Sequence, residues 1–479
     1  MGPADRGALL FAGRRHLSAA ARTPGAGQAP ITGWPLAVSK RNAASLRAAA
    51  RGGFIMSNCA IVGINWGDEG KGRMVDLITQ DYDVVVRYQG GGNAGHTVVN
   101  EKGRFALHLL PSGIFRDGVV NILGNGVALD CESLWKEIQD VTAQGVSITP
   151  DNLMVSDRAS LLLPWHRDLD GLEEARLKDK KYGSTKQGIA PFYSDKFQKK
   201  TVMAGELLYP RQLRSHLEDL LEWKNLTLTK VYNAAPYTIG QLMDWVADYG
   251  EKIRPFIRDT GAFLRQAQAE NKRVLFEAQL GALRDLDYGI YPYTTSSNAV
   301  TAYAPVGSGL PSARIDEVIG VVKAYSSCVG EGPFTCEWFG EEADRLREAG
   351  NEYGAKTGRP RRVGPIDIVA TRYGVQCQAA TNIALTKLDV LSYLDKIPVC
   401  VRYELGSQQT DRFPFPALLA EAKPVVEYMD GWGCDISGVR TWEDLPEAAR
   451  KYVEYIEKEI GCRIGYVSVG PERDAIILR

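Results

Sequence analysis

A glycine-rich loop near the start of the chain carries the residues whose types and spacing point most directly to chemistry. The loop Gly63–Gly72 follows an apolar segment, Cys59–Ile64, that predicts a strand, and it precedes a predicted helix over Arg73–Thr79. A loop in this setting presents backbone N–H groups and a helix N-terminus to an anion. Glycine lets the backbone approach a phosphate closely, and Lys71 adds a positive charge. The segment therefore predicts a phosphate-binding loop.

This loop differs from the common G-x4-G-K-[S/T] phosphate loop in two ways. That pattern needs a glycine where the chain has Asn65 and a hydroxyl residue where it has Gly72. Asp68 is more informative, because a carboxylate inside a phosphate-binding loop repels the ligand unless it binds a metal or takes a proton. Asp68 is therefore expected to coordinate Mg²⁺, to act as a base, or to do both. The alternative is a tight turn with incidental charges.

The elements that must position this loop predict an α/β fold with a large, mostly parallel central sheet flanked by helices. The predicted strands are Cys59–Ile64, Val84–Tyr88, Asn121–Leu123, Val274–Phe276, Ile383–Leu385, Val399–Tyr403, Gly465–Val469 and Ala475–Leu478. The predicted helices are Arg73–Thr79, Asp130–Gln144, Leu207–Trp223, Thr238–Ala247, Pro255–Asn271 and Trp442–Ile460. Residues from about 190 to 273 are expected to form a mostly helical subdomain.

The composition favours no nucleic-acid or membrane partner. The chain has 479 residues, a formal net charge of -1 and 44% hydrophobic residues. No apolar run approaches the roughly 20 residues that span a bilayer. The eight cysteines are scattered without a CxxC pair, which is typical of reduced thiols in a cytosol-like compartment and not of a structural zinc site.

The first 55 residues differ from the rest, with seven arginines, one lysine and a single acidic residue, Asp5. They fit an organellar transit peptide, a start assigned too early with Met56 as the true initiator, or a tail with its own function. The second interpretation is favoured, because Met56 lies so close to the first strand. In all three, residues 1–55 are expected to lie outside the fold, and residues 56–479 to form one catalytic domain.

The segment Trp66–Gly72 resembles the signature loop of adenylosuccinate synthetases, and further blocks follow in that family's order. They are Gln89–Thr97, Leu107–Gly113, Gly183–Thr185 with Gly188–Pro191, Tyr291–Asn298, Thr357–Arg362 and Thr386–Leu391. The resemblance implies a P-loop-NTPase-like core with helical and small accessory subdomains. It also implies a homodimeric, cytoplasmic ligase, or an organellar one if residues 1–55 are a transit peptide. The implied reaction joins IMP to L-aspartate through 6-phosphoryl-IMP, with GTP as co-substrate and one Mg²⁺ per subunit. This is the first committed step from IMP to AMP in purine nucleotide biosynthesis.

The resemblance also implies roles for individual residues. Asp68 would be the base that removes the N1 proton of IMP, His96 its acid partner, and Asp68 with the Gly95 carbonyl would bind Mg²⁺. The implied GTP-binding residues are Gly67, Gly70, Lys71, Gly72, Arg361, Lys387, Leu388, Asp389, Ser468, Val469 and Gly470. The implied IMP-binding residues are Asp68, Glu69, Lys71, Asn93, Ala94, Gly95, His96, Thr185, Lys199, Gln279, Thr295 and Arg359. The implied aspartate-binding residues are Lys356, Thr357, Gly358, Arg359 and Arg361.

The segment Thr386–Asp389 resembles the T/N-K-x-D element of guanine-binding proteins. A carboxylate at Asp389 can accept two hydrogen bonds from guanine N1–H and its 2-amino group, and adenine offers neither in that geometry. Lys387 would pack its stem along the base. The element therefore predicts GTP over ATP.

Three departures from the family pattern bear on the site. Lys199 stands where the family usually has an arginine that crosses the dimer interface to the partner's IMP, and a lysine keeps the charge but loses the fork. Gln279 is shifted one residue, so that Leu280 precedes Gly281, and such a shift at the end of a strand turns a side chain to the other face. Lys356 and Pro360 replace a threonine and an arginine in the basic loop.

Three other functions compete with this one. A non-catalytic purine-nucleotide sensor would have lost Asp68 or His96, and both are present. A GTPase or NTP-binding regulator would need a hydroxyl after Lys71, where Gly72 has none. A ligase for another amino acid or purine is disfavoured by the basic loop Thr357–Arg362.

Overall fold

A ten-stranded sheet forms the centre of the structure, a computed structural model that describes residues 58–354 and 358–479. The strands in chain order are β1 Asn58–Gly63, β2 Val84–Arg87, β3 His96–Asn100, β4 Gly103–Leu107, β5 Val120–Leu123, β6 Ala128–Leu129, β7 Leu153–Ser156, β8 Ser160–Leu161, β9 Ile257–Arg258, β10 Val274–Glu277, β11 Glu317–Lys323, β12 Ser326–Cys328, β13 Arg362–Gly364, β14 Ile366–Asp367, β15 Asn382–Thr386, β16 Lys396–Leu405, β17 Gln408–Thr410, β18 Lys423–Asp430, β19 Ile464–Ser468 and β20 Ile476–Leu478.

The central sheet has the order β20-β19-β15-β11-β1-β10-β2-β5-β7-β9. Its neighbours are parallel except at one edge, where β20 runs antiparallel to β19. Every residue of β1, β2 and β10 is buried, as expected when helices cover both faces of a parallel sheet. The predicted α/β fold with a large, mostly parallel sheet is therefore confirmed.

Helices on both faces connect these strands. In chain order they are α1 Lys71–Ile78, α2 Cys131–Ala143, α3 Pro164–Leu177, α4 Ile189–Phe197, α5 Pro210–Leu226, α6 Ile239–Trp245, α7 Glu251–Ile253, α8 Thr260–Ala269, α9 Ala304–Ser308, α10 Glu341–Gly350, α11 Ile368–Gln378, α12 Pro416–Leu419 and α13 Glu447–Ile460. Helices α4 to α8 follow one another with few strand residues between them, and α5 and α6 pack through Leu213, Leu217 and Leu242 in a shared apolar core.

Three predicted helices begin later than the sequence indicates. The helix predicted from Pro255 is wrong at its start, because Ile257–Arg258 pairs with β7 as β9 and α8 begins at Thr260. The Asp259 side chain caps α8 by accepting from the Ala262 N–H at 2.8 Å. Likewise α5 begins at Pro210 instead of Leu207, and α13 begins at Glu447 instead of Trp442.

Smaller sheets lie beside the central one. Strand β16, which contains the predicted strand Val399–Tyr403, pairs with β14, β17 and β18 in a separate sheet. Strands β3 and β4 form an antiparallel hairpin directly after the loop that follows β2. Within the described ranges, no helix is both long and apolar enough to cross a bilayer.

Five strands of the central sheet place the chemistry-bearing loops at one edge. The strands β1, β2, β10, β15 and β19 are parallel within the sheet, so their carboxyl ends meet at the same edge. In open α/β sheets this edge is where ligands bind. The loops that follow these strands include Asp68, Asn93, Gln279, Asp389 and Gly470.

Candidate active site

A cavity of about 390 Å³ lies at this carboxyl edge. The residues that line it come from the loops after the parallel strands and from the segments around Asn351 and Arg361. Those predicted from the sequence are Asp68, Glu69, Gly70, Lys71, Gly72, Asn93, Ala94, Gly95, His96, Gln279, Arg361, Lys387, Asp389, Ser468 and Gly470. The structure thus brings most of the predicted catalytic and nucleotide-binding residues to one site.

The glycine-rich loop is held from inside by Glu69. Its carboxylate oxygen Oε1 accepts from the Gly67 N–H at 2.8 Å and the Asn65 N–H at 3.2 Å, and Oε2 lies 2.6 Å from Lys71 Nζ. The backbone is also close to the neighbouring strand end, because a Cβ on Gly281 would lie 2.3 Å from the Asn65 carbonyl oxygen. The Glu69 carboxylate therefore shapes the loop and neutralises Lys71.

Asp68 occupies a conformation that is unusual for a residue with a side chain. Its φ is 59°, in the left-handed region, and such residues cluster where function requires them. The carboxylate lines the cavity, and its Oδ2 lies 2.9 Å from Arg361 Nη2. A carboxylate oxygen of the glycine-rich loop is thereby held by a neighbouring guanidinium.

His96 is buried and held by the carboxylate at the end of β10. Its Nδ1 lies 2.5 Å from Glu277 Oε1, and Glu277 also accepts from the Ser112 N–H at 2.8 Å and the Ser112 hydroxyl at 2.6 Å. Burial would raise the pKa of Glu277, but the hydrogen bonds and nearby positive charge lower it overall, so the carboxylate is ionised and Nδ1 carries a proton. Among the described residues, His96 Nε2 has no hydrogen-bond partner.

Burial lowers the pKa of His96, although the hydrogen bond and the negative charge of Glu277 act to raise it. The ring is therefore neutral in the free protein at neutral pH. An unpaired buried nitrogen is rare in proteins. Because His96 lines the cavity, a ligand bound there is a candidate partner for Nε2.

Asp389 presents a second unpaired atom to the cavity wall. Its Oδ1 is buried, with no hydrogen-bond partner in residues 58–354 and 358–479. Burial raises the pKa of this carboxyl, against the opposing charges of Lys387 and Arg73. Arg73 donates to the Ser468 hydroxyl and to the Ala475 carbonyl, the latter at 2.9 Å, so it ties the loop after β19 to the same wall. The N1–H and 2-amino groups of a guanine ring could donate hydrogen bonds to this buried, unpaired carboxylate oxygen.

A family model described as adenylosuccinate synthetase matches residues 60–477. The chain belongs to the adenylosuccinate synthetase family. Adenylosuccinate synthetase 2 of Pseudoalteromonas translucida is 47% identical over 426 residues, which cover 88% of this chain and 100% of the relative. The adenylosuccinate synthetase of Caldanaerobacter subterraneus subsp. tengcongensis is 45% identical over 428 residues, 88% of this chain and 100% of the relative.

Two solved structures share the fold. The fully ligated adenylosuccinate synthetase of Plasmodium falciparum superimposes with a TM-score of 0.83 at 36% identity, covering 88% of this chain and 99% of that chain. The succinoaminodeoxyadenylate synthetase of cyanophage S-2L, bound to dGMP and to dATP as an energy donor, gives a TM-score of 0.57 at 20% identity, covering 89% and 96% of the two chains. The second likeness concerns the fold alone.

Several residues that the family resemblance predicted lie outside the cavity lining. Thr185 is exposed, while Thr295 is buried with no described partner for its hydroxyl. The Arg359 Nη2 lies 3.4 Å from Glu331 Oε1 on the surface. The predicted residues that do not line the cavity are Gly67, Thr185, Lys199, Thr295, Gly358, Arg359, Leu388 and Val469. Lys356 and Thr357 lie outside the described residues.

The shifted Gln279 has a defined place. Its Oε1 accepts from Arg87 Nη2 at 2.8 Å and from the Gly91 N–H at 3.0 Å, while its Nε2 donates to Asn93 Oδ1 at 2.5 Å. Leu280 has a φ of 62° and also lines the cavity. Gln279 therefore holds the loop after β2, and the apolar Leu280 stands beside it at the cavity wall.

Four residues that sequence reasoning did not single out support the site. Arg73 donates to the predicted Ser468, Glu277 fixes His96, Ser112 donates to Glu277, and Glu352 contacts both Lys387 and Arg361. The available signal for Glu277 was a charged residue that ends an otherwise apolar strand. Glu352 had no such signal, since it lies in a polar segment.

Proposed function

We propose that Asp68 and His96 are the catalytic pair with which this chain joins IMP to L-aspartate at the expense of GTP, the family's reaction in purine biosynthesis. One observation supports this assignment above the others. The Asp68 carboxylate, the unpaired His96 Nε2 and the unpaired Asp389 Oδ1 belong to residues that line a single cavity. These three groups suit a base, an acid partner and a guanine reader.

In the first step, the Asp68 carboxylate takes the N1 proton of IMP, which makes the 6-oxygen nucleophilic. The 6-oxygen forms a bond to the γ-phosphorus of GTP while the bond to the β,γ-bridging oxygen breaks, and GDP leaves. Negative phosphate raises the pKa of His96, so that a ring protonated at both nitrogens donates from Nε2 to the bridge region. The ionised Glu277 stabilises that protonated ring.

In the second step, the amino group of aspartate forms a bond to C6 of 6-phosphoryl-IMP, the C6–O bond breaks, and phosphate leaves with the proton that the amino group loses. Oxygen alone is a poor leaving group from C6, and the transferred phosphoryl group removes that obstacle. Arg361, with Arg359 and residues 356–358, is proposed to hold the carboxylates of aspartate, because guanidinium groups pair with carboxylates in a two-pronged geometry.

Oxygen ligands that suit Mg²⁺ are present in the cavity. The Asp68 side chain and the Gly95 main chain both line it, and proteins commonly hold Mg²⁺ with one or two carboxylates while phosphate and water supply the other ligands. Within 58–354 and 358–479, no cluster of three or more His, Cys, Asp or Glu residues is arranged as a metal site. One Mg²⁺ per subunit would neutralise charge on the transferred group.

The enzyme is proposed to be a homodimer in which Lys199 reaches the partner's IMP. Its proposed location is the cytoplasm, or an organelle if residues 1–55 act as a transit peptide.

The experiment that tests this function is an initial-rate assay of the full chain with IMP, L-aspartate and Mg²⁺, run in parallel with GTP and with ATP. ATP is the informative comparison, because a relative of the same fold is described with dATP as its energy donor. We expect adenylosuccinate with GTP and little with ATP. Asp68→Asn should lower kcat about 10³-fold, while Asp117→Asn, at an exposed position, serves as the matched control.

Two outcomes would contradict the proposal. Folded protein that binds IMP and GTP but forms no product with either nucleotide would be a sensor and not a ligase. Equal rates with GTP and ATP would remove Asp389 as the guanine reader while leaving the ligase reaction in place.

A further inference from the structure

One buried carboxylate, Glu352, contacts cations in both the guanine-reading and the basic segments of the cavity. Both of its oxygens lie 2.8 Å from Lys323 Nζ, and Oε1 also lies 2.8 Å from Lys387 Nζ. Its Oε2 lies 2.9 Å from Arg361 Nη1, and Oε1 accepts from the Tyr325 hydroxyl at 2.5 Å. The side chain is completely buried. Burial would raise the pKa of Glu352, but the three cations lower it well below its usual range.

The partners of Glu352 divide into two classes. Lys387 and Arg361 line the cavity, whereas Lys323, Tyr325 and Glu352 itself do not. The Glu352 carboxylate therefore reaches the site through Lys387 and Arg361.

These two partners belong to different parts of the proposed reaction. Lys387 has a φ of 61° and begins the turn that carries the guanine reader Asp389. Arg361 contacts Asp68 with its other nitrogen at 2.9 Å. A continuous series of ion pairs thus runs from Lys387 through Glu352 and Arg361 to the proposed catalytic base.

The main chain of Glu352 reinforces the link to Arg361. Its carbonyl accepts from the Arg361 N–H at 2.9 Å, and the neighbouring Tyr353 forms an antiparallel bridge with Pro360. Arg361 is consequently fixed to Glu352 by both backbone and side chain. The length of the Glu352 side chain and its charge then decide where the guanidinium stands relative to Asp68.

We propose that Glu352 is a positioning residue. Its carboxylate forms ion pairs with both Lys387 and Arg361, and it thereby fixes the positions of a GTP-binding and an aspartate-binding side chain at the same time. This inference rests on the proposed function. Without the negative charge, the buried Lys323 and the partly exposed Arg361 and Lys387 would face one another with no shared counter-ion. Lys387 would move away from the guanine site, and Arg361 would pair with Asp68 alone. IMP would be affected least, because its proposed contacts with Asn93, Ala94, Gly95 and Gln279 lie in the loops after β2 and β10.

The test is a steady-state comparison of full-length Glu352→Gln with the wild type, measuring kcat and the KM of GTP, aspartate and IMP separately. We expect the KM of GTP and that of aspartate each to rise about tenfold or more, since hydrogen bonds to charged groups are lost at both partners. The KM of IMP should stay within about threefold. Glu348→Gln, at an exposed position on α10, is the matched control and should behave as wild type.

Glu352→Asp keeps the charge and shortens the side chain. The KM of GTP and the KM of aspartate should therefore rise less in Glu352→Asp than in Glu352→Gln. If Glu352→Gln does not fold, Glu352→Asp decides by the same split between GTP and aspartate on one side and IMP on the other. Equal changes in all three KM values, or no change, would overturn the inference while leaving an active wild type. A wild type that forms no adenylosuccinate would instead remove the proposed function.

Discussion

Glu277 controls His96 from outside the cavity. Its two buried oxygens accept hydrogen bonds from the His96 ring, the Ser112 N–H and the Ser112 hydroxyl. All three are donors, and an ionised carboxylate has only acceptors to offer them. The ring is therefore oriented so that Nε2 has no hydrogen-bond partner among the described residues, which is the arrangement that the proposed role of His96 needs.

This arrangement predicts that Glu277→Gln lowers kcat about 10- to 100-fold with little change in the three KM values. An amide would place its NH₂ group against one of the donors and would not stabilise a protonated imidazole. Initial rates at saturating substrates measure the effect. Glu222→Gln, exposed on α5, is the control. A wild-type kcat in Glu277→Gln would mean that His96 needs no anionic partner.

The sequence predicted the residues that touch the cavity better than those behind it. Asp68 and His96 stand in glycine-rich segments, where a carboxylate or an imidazole is chemically conspicuous. Glu277 and its partner His96 are 181 positions apart. Their contact arises only when β10 and the loop after β2 lie at one sheet edge, so no local pattern could reveal it.

At the scale of elements, helix α3 holds the loop that carries Thr185. Asp170 accepts from the Gly188 N–H at 2.8 Å and the Ser184 hydroxyl at 2.7 Å. One turn later, Glu174 accepts from the N–H groups of Tyr182 and Gly183 at 3.1 and 3.2 Å. Residues four apart share a helix face, so two side chains of α3 satisfy the backbone of this loop.

The double variant Asp170→Asn with Glu174→Gln is accordingly expected to raise the KM of IMP about tenfold and to leave the KM of GTP unchanged. The physical reason is the loss of carboxylate acceptors for three backbone N–H groups, which loosens the loop whose Thr185 is proposed to bind IMP. Steady-state kinetics with each substrate varied in turn provides the measurement, with exposed Asp151→Asn as control. A selective rise for GTP would place this loop at the other nucleotide.

Asp367 caps the N-terminus of helix α11, and its carboxylate accepts from the Ala370 N–H at 3.0 Å and from the Tyr403 hydroxyl at 2.6 Å. Burial raises the pKa of Asp367 from 3.8 to about 6. A raised carboxyl pKa stabilises the folded state at low pH, and that contribution is lost as the pH rises toward 6.

Between pH 4 and pH 7, the free energy of unfolding of the wild type should therefore fall by about 2 kcal/mol relative to that of Asp367→Asn. Urea unfolding of both proteins across this range measures the difference. A difference that is constant with pH, or that grows in favour of the wild type, would show that Asp367 is ionised in the folded protein at low pH.

The sequence correctly predicted three strands in which every residue is buried. The strands of a parallel sheet buried on both faces appear as continuous apolar runs, and β1, β2 and β10 were predicted for that reason. Strand β9 is only two residues long, which is too short to show a repeating pattern of apolar and polar residues. Its pairing with β7 depends on a long-range contact, which explains why the helix predicted from Pro255 was wrong at its start.

At the scale of the whole molecule, Lys199 stands apart from its own cavity. It lies two residues after the end of α4, is exposed, has a φ of 62° and does not line the cavity. Its neighbour Phe197 is 73% exposed. A residue proposed to contact IMP from this position can serve a second copy of the chain more readily than its own site.

A homodimer with Lys199 acting across the interface predicts complementation between two inactive variants. In a heterodimer of Asp68→Asn with Lys199→Ala, one site has both defects, and the other keeps its own Asp68 and receives Lys199 from the partner. Random pairing makes half of the dimers mixed, each with one intact site of two, so an equimolar co-refolded mixture should reach about a quarter of wild-type activity. Adenylosuccinate formation at saturating substrates is the measurement.

The control for this experiment mixes Asp68→Asn with His96→Asn, both of which line the cavity of their own chain. Each chain then carries a defect in its own active site, and no pairing of the two chains produces an intact active site. If the Lys199→Ala mixture is no more active than the mean of its two components, Lys199 acts within its own subunit or not at all. Recovery in that mixture, with none in the control, requires a side chain delivered from the partner, which neither a stability effect nor a simple increase in dimer content would produce.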